Sequence, residues 1–248
     1  MNRALFFPNE ILNDRLYLAE SDRRAQHIQR ILRANVGDKV LVGIVNGPRG
    51  TAVVESVDAF QTVLHIEELN LPPDKLLPVT LLLGHPRPIV LRRILKDAVT
   101  SGFARIHIIR GELCERSYME SNIWKDEDAL QELLVLGAEQ AGGSRIPELR
   151  RFWSLERRLQ EEDVKDSSCR ILLHPGHSDA RELCELAGAI RRSVQVTVAV
   201  GSERGWSDTE VQQMVHSGFL PVSLGNRILR TETAVQWAIA QLASLVSA

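Results

Sequence analysis

The sequence predicts an α/β protein in two parts: a small β-rich unit over residues 1–70 and a larger α/β domain over 78–248. Three observations carry this. From residue 78 onward, apolar β-branched runs alternate with segments of helical period, the pattern of a mainly parallel sheet covered by helices. Before residue 70, five or six short runs of strand character lie close together with turn residues between them, which favours a small barrel. Between the two, "NLPPDKLLP" at 70–78 carries Pro72-Pro73. Neither a helix nor the middle of a sheet accommodates that pair, so this stretch is the expected linker.

In order, "RALFF" and "RLYLA" read as short strands, and Ile28, Ile31 and Leu32 recur at helical spacing over Arg23 to Leu32. Gly37-Asp38 is a turn, after which "KVLVGIV", "GTAVVESV" and "TVLHIEEL" read as strands separated by "NGPR" and "DAFQ". Beyond the linker, "VTLLLG" is a buried strand, "IVLRRILKDAVTSG" a helix and "ARIHIIR" a strand. "DEDALQELLVLGAEQAG" is a helix, "CRILLHP" a strand, "SDARELCELAGAI" a helix and "VQVTVAV" a strand. "DTEVQQMVHSG" is a helix, "LPVSLG" a short strand and "TETAVQWAIAQLASLV" the last helix, with Val235, Ala238, Ile239, Leu242 and Val246 on one face as core or dimer interface.

Composition narrows the function classes. The 248 residues are 44% hydrophobic and 25% charged, ordinary for a globular chain, and no apolar run approaches the ~20 residues of a membrane span. The start, "MNRALFFPNEIL", lacks the basic region, long apolar stretch and cleavage site of a secretory signal. Cys114, Cys169 and Cys184 are odd in number and far apart, which fits neither a disulfide framework nor a zinc pair, so a reduced, cytoplasmic setting without a metal is expected. The net charge of −2 argues against non-specific coating of nucleic acid. Arginines do cluster locally: Arg23, Arg24, Arg30 and Arg33 in one segment, and Arg87, Arg92 and Arg93 with Lys96 in another. Each cluster reads either as a solvated helix face or as a phosphate-binding surface.

In an open parallel sheet, ligands sit beyond the carboxyl ends of the strands. Three strand ends carry unusual loops: "LLHPGHSD" (172–179), "VGSERGWS" (200–207) and "SLGNRILRTETA" (223–234). The glycines of the second loop are placed as in a phosphate cradle, but Glu203 would repel a phosphate. Ser207 and Glu210 form a capping box that occupies the N–H groups at the next helix start. Neither G-x-G-x-x-G nor the P-loop pattern occurs. A ligand joining a flat base to a cationic centre, such as S-adenosylmethionine, suits an acid among exposed backbone groups. A tight strand–helix turn with an incidental glutamate is the competing reading. Thr231 is the expected N-cap of the last helix.

The third loop resembles a family signature. "LGNRILRTETA", Leu224 to Ala234, is similar throughout to the C-terminal motif of the SPOUT methyltransferases, most closely the ribosomal RNA small subunit methyltransferase E family. "HIQRILR…GD", "EQAGGSRIPEL" (139–149) and "LLHP" (172–175) resemble its other segments in order, over nearly the whole chain. Two segments depart. The family's I-G-P-E-G-G is here "VGSERG", with Ser202 for proline and Arg204 for a glycine. Its K-G-x-[KR] entry and E-L-G-V segment are replaced within "HPRPIVLRRILKDAVTSGFARI", marking a divergent branch.

The resemblance implies a C-terminal SPOUT domain with a deep trefoil knot, a PUA-like N-terminal barrel that holds RNA, and a homodimer. It implies methyl transfer from S-adenosylmethionine to N3 of a uridine in 16S ribosomal RNA, free or in the small subunit. The cofactor residues it implies are Leu173, His174, Gly201, Glu203, Gly205, Leu224, Gly225, Ile228 and Leu229. Arg23, Arg24, Arg30, Arg33, Arg227 and Arg230 are the RNA candidates; for the last two, a salt bridge to Glu232 competes. No residue is identified as a general base. The altered loop also motivates a non-catalytic alternative, an RNA-binding or ribosome-associated protein that keeps the fold.

Overall fold

The computed structural model describes residues 3–165 and 167–246. The chain forms two units, one comprising Met1–Lys75 with Val135–Ile146, the other Leu76–Leu134 with Pro147–Ala248.

In the first unit, β1 (Ala4–Phe6), β2 (Ile11–Leu12), β3 (Arg15–Ala19), β4 (Lys39–Ile44), β5 (Arg49–Val57) and β6 (Gln61–Leu71) form one sheet in the order β1-β4-β5-β6-β3-β2. Its β1–β4 pairing is parallel and the others are antiparallel. No ladder joins β1 to β2 among the described residues, so the barrel expected from sequence is an open sheet in its hydrogen bonding. Register shifts between β5 and β6 bend the longest ladder, as bulges do. Gly50 sits at one of them, where a Cβ would run into the Glu68 carbonyl. Phe6, Leu16, Leu18, Ile28, Val42, Val54 and Leu64 fill the core.

The helix expected over Arg23 to Leu32 is shorter and wider. Asp22 caps α1 (Arg23–Gln26) through the Arg24 N–H, and the chain continues as a π-type turn over His27–Ile31. Arg24 belongs to this core. Its guanidinium bonds Asp22 (2.7 Å), Glu10 (2.6 Å) and the Leu5 carbonyl (2.9 Å), and lies over the Phe6 ring. Burial works against its charge, and the bonds it donates to Asp22 and Glu10 more than offset it. Residues 135–146, expected in the α/β domain, join the first unit through Glu139. The fully buried Glu139 carboxylate accepts the Leu5 N–H at 2.9 Å and Arg23 Nη1 at 2.6 Å. Asp74 accepts the Ser144 and Arg145 N–H groups in the same way.

The second unit is a seven-stranded sheet in the order β11-β13-β10-β12-β7-β8-β9, parallel throughout. Its strands are β7 (Leu77–Gly84), β8 (Phe103–Ile109), β9 (Glu148–Phe152), β10 (Cys169–Leu173), β11 (Arg181–Glu182), β12 (Val196–Val200) and β13 (Leu220–Ser223). β7 and β12 lie at the centre, and "VTVAV" is buried on both faces, which explains its unbroken apolar run. The helices are α2 (Pro88–Thr100), α3 (Arg116–Met119), α4 (Glu127–Ala141, divided between the units), α5 (Leu155–Leu159), α6 (Glu162–Lys165), α7 (Ala187–Arg191), α8 (Asp208–His216) and α9 (Thr231–Ala243). The helix expected over 178–190 is instead β11, a 3-10 turn and the short α7. Val235, Ala238, Ile239 and Leu242 of α9 are buried within the unit, so that face is core.

Successive strands β7, β8 and β9 step one way across the sheet, and β10 to β13 fill the other side. The carboxyl ends around β12 are therefore the switch point where ligand crevices form.

Candidate functional site

The loops after β10, β12 and β13 meet in one pocket at that edge. Leu173 and His174 come from the first loop, Gly201, Glu203 and Gly205 from the second, and Leu224, Ile228 and Leu229 from the third. Gly225 is brought to the same loop, at φ +119°, but does not line the pocket. Leu173 and Leu229 are half-buried and Ile228 is 94% exposed, so none of the three is a core residue. Val200, Trp206, Val222 and Ala234 complete the apolar wall, and sequence reasoning missed them. Trp206 had a signal: it directly follows the glycine loop.

The glycine loop is a hairpin in miniature. Ser202 and Gly205 pair as an isolated bridge, with the Gly205 N–H on the Ser202 carbonyl at 2.9 Å. Gly205 takes φ +74°, in the left-handed region, and a Cβ there would meet nothing. A Cβ on Gly201 would lie 2.7 Å from Gly205 Cα. Gly201 thus serves the fold of its own loop, whereas the sequence pattern assigns both glycines to the ligand. Glu203 Oε1 accepts the Arg87 N–H at 3.0 Å, so its carboxylate ties this loop to the N-terminus of α2.

The β7–α2 turn that it grips is itself fixed. His85 is fully buried, and Trp124 Nε1–H donates to its Nε2 at 2.9 Å. That leaves Nδ1 as the protonated nitrogen, donating to the Pro86 carbonyl at 2.6 Å. Burial lowers the His85 pKa. His174 is also pushed down, first by burial and then by His177.

Two polar features of the pocket lack partners among the described residues. The Trp206 indole N–H is buried without an acceptor. The backbone groups of Leu224 and of residues 226–229 make no hydrogen bond. The buried indole N–H costs free energy unless something pairs it, whereas the backbone of the exposed residues 226–228 is open to solvent or a ligand. The arrangement suits a flat, hydrogen-bonding heterocycle between apolar walls. The capping box holds as expected: Ser207 Oγ accepts the Glu210 N–H, and Glu210 Oε2 the Ser207 N–H. The cap of α9 does not. Arg230 is its N-cap, and Thr231 is the first helical residue, buried. Arg227 lines the pocket and Arg230 is exposed; neither pairs with Glu232 among the described residues.

The N-terminal arginines divide. Arg23 and Arg24 are bound inside the first unit, whereas Arg30 is exposed, with Glu20 at 3.4 Å, and Arg33 is exposed at φ +52°. Charge reversal of Arg30 and Arg33 alone should flatten the dependence of RNA affinity on salt by about 0.7 per phosphate lost, measured as a log–log slope on single-stranded RNA. An unchanged slope would make them solvated surface.

The fold and the pocket define a class. The family described as an RNA methyltransferase domain matches residues 72–243. The chain is 35% identical over 240 residues to ribosomal RNA small subunit methyltransferase E of Treponema pallidum, covering 94% of this chain and 87% of that one. It is 29% identical over 237 residues to ribosomal RNA small subunit methyltransferase E 1 of Borreliella burgdorferi, covering 94% of each. It superposes on the Neisseria gonorrhoeae ribosomal RNA small subunit methyltransferase E bound to S-adenosylmethionine with a TM-score of 0.77, at 23% identity and covering 99% and 98% of the two chains. The chain belongs to the ribosomal RNA small subunit methyltransferase E family.

Proposed function

We propose that this protein transfers a methyl group from S-adenosylmethionine to N3 of a uridine in 16S ribosomal RNA. The observation that carries the reading is the convergence of three loops in one apolar pocket with an unpaired indole N–H and unpaired backbone groups. Those residues fit the cofactor. Leu173, Val222, Leu224 and Leu229 wall an adenosine, and the free backbone groups of Leu224 and of residues 226–229 meet its base edge. When bound, S-adenosylmethionine supplies an electrophilic methyl group on a sulfonium. The Gly201–Gly205 hairpin, held by Glu203 to α2, shapes the approach from which a uridine N3 reaches it in line. N3 is hidden in a Watson–Crick pair, so the target base must be unpaired. Arg227, at the pocket rim, orients an RNA phosphate by its guanidinium. The sequence resemblance extends the proposal to a SPOUT knot in the second unit, a PUA-like RNA-binding role for the first, a homodimer and a cytoplasmic setting.

The non-catalytic alternative draws on Arg204 standing where the family has glycine. Arg204 is exposed and absent from the pocket lining, which favours the enzyme over an obstructed relic.

Calorimetric titration with S-adenosylhomocysteine tests the reading: saturable binding supports it, and no binding by folded protein overturns it. Glu203→Gln separates two roles of the acid. If Glu203 holds the loop, affinities for S-adenosylmethionine and S-adenosylhomocysteine should fall together by roughly fivefold or less, about 1 kcal/mol. A loss confined to the sulfonium form would show that its charge faces the cofactor.

A further inference from the structure

The same sheet edge carries a second concavity, on the other side of β7 from the pocket. Arg110 and Glu112 after β8, Trp153 and Glu156 after β9, and Glu210 of α8 line it. Ile109 pairs with Phe152, and the Arg110 N–H bonds the Phe152 carbonyl at 2.9 Å, so Arg110 and Trp153 stand at the same level of the edge. Trp153 is 42% exposed and presents its ring to the concavity it lines. Its indole lies against Arg151. The Arg151 guanidinium lies 5.8 Å from the Trp153 ring centre and 4.9 Å from that of Trp124, and Nη1 donates to the Met119 carbonyl at 2.6 Å. Beside it, the Arg110 side chain has no hydrogen bond or ion pair among the described residues, and its Nε is buried without a partner.

Both Glu210 oxygens are occupied by backbone N–H groups, of Glu112 and Ser207, and Glu112 accepts the Ser207 hydroxyl at 2.6 Å. Glu156 is exposed. The Glu112 and Glu210 carboxylates are thus engaged within the protein, whereas Arg110, the one cation that lines the concavity among the described residues, is left to meet a phosphate. The concavity and the pocket are flanked by the same segment. Trp206 lines the pocket, and Glu210, four residues on, lines the concavity.

We propose that Trp153 and Arg110 form a subsite for a nucleotide of single-stranded RNA beside the target uridine, its base stacked on Trp153 and its phosphate on Arg110. The assignment of that nucleotide as a neighbour of the methylated base rests on the methyltransferase reading. The stacking itself does not.

The experiment is fluorescence anisotropy with a labelled single-stranded oligouridylate. Trp153→Ala should weaken its binding by roughly 5- to 100-fold, the range of one base–aromatic stack, and Trp153→Phe should retain most of the affinity. Arg110→Gln should reduce the salt slope by about 0.7. S-adenosylhomocysteine affinity should match the wild type in all three, with unchanged circular dichroism. Unchanged oligouridylate affinity in folded Trp153→Ala overturns the subsite, and so does a Trp153→Phe loss as large as that of alanine. If the wild type binds no S-adenosylhomocysteine yet Trp153→Ala still loses oligouridylate affinity, the methyltransferase reading fails and the subsite stands.

Discussion

Gly201→Ala is expected to lower methyl transfer to RNA by on the order of 100-fold, with S-adenosylhomocysteine affinity falling alongside it, while the fold persists. The added Cβ would lie 2.7 Å from Gly205 Cα and 2.9 Å from Gly205 C, both backbone atoms that no rotamer change can clear. The loop must open, and displacement of a positioning element by about 1 Å is enough for a loss of that size. Gly84→Ala attacks the same loop from β7, where its Cβ would lie 2.7 Å from the Ser202 N, and should act in the same direction. Gly176→Ala, with open space around it, should leave both quantities alone. Wild-type cofactor affinity in Gly201→Ala would remove the 201–205 loop from the site.

Glu139→Ala should cost the first unit about 3 kcal/mol or more, a large fraction of a typical domain's roughly 5–15 kcal/mol. The substitution orphans the buried Leu5 N–H and removes the partner that Arg23 Nη1 holds at 2.6 Å. Glu139→Gln should cost less, because an amide oxygen still accepts the Leu5 N–H. Urea unfolding monitored on the first unit measures both. A loss in Glu139→Ala below about 1 kcal/mol would show that residues 135–146 are not integral to it.

These two residues also mark how far the sequence can be read. The alternation of strands and helices is legible, and so is the meeting of three loops at one sheet edge, because both follow from local pattern and a general rule for parallel sheets. Glu139 stands in the sequence only as one letter of a motif. Its role depends on a hydrogen bond spanning 134 positions, which no local pattern reveals. The bulge at Gly50 and the tightness at Gly201 depend on which backbones approach each other, so glycine at those places is visible but its reason is not. Charge clustering misleads for the same cause: Arg24 looks like Arg33 in the sequence, and only tertiary structure shows Asp22 and Glu10 closing on it. Strand β9 escapes a reading by pattern because "ELRRF" lacks an apolar run, although its end carries Trp153.

Methyl transfer to a ribosomal uridine is the reaction proposed for the pocket. The direct measurement incubates the purified protein with small ribosomal subunits, or free 16S ribosomal RNA, and isotopically labelled S-adenosylmethionine, then digests the RNA to nucleosides for mass spectrometry. The label is expected in N3-methyluridine and should be lost with Gly201→Ala. Label in another nucleoside, or no label with folded protein that binds the same RNA, would contradict the proposed reaction.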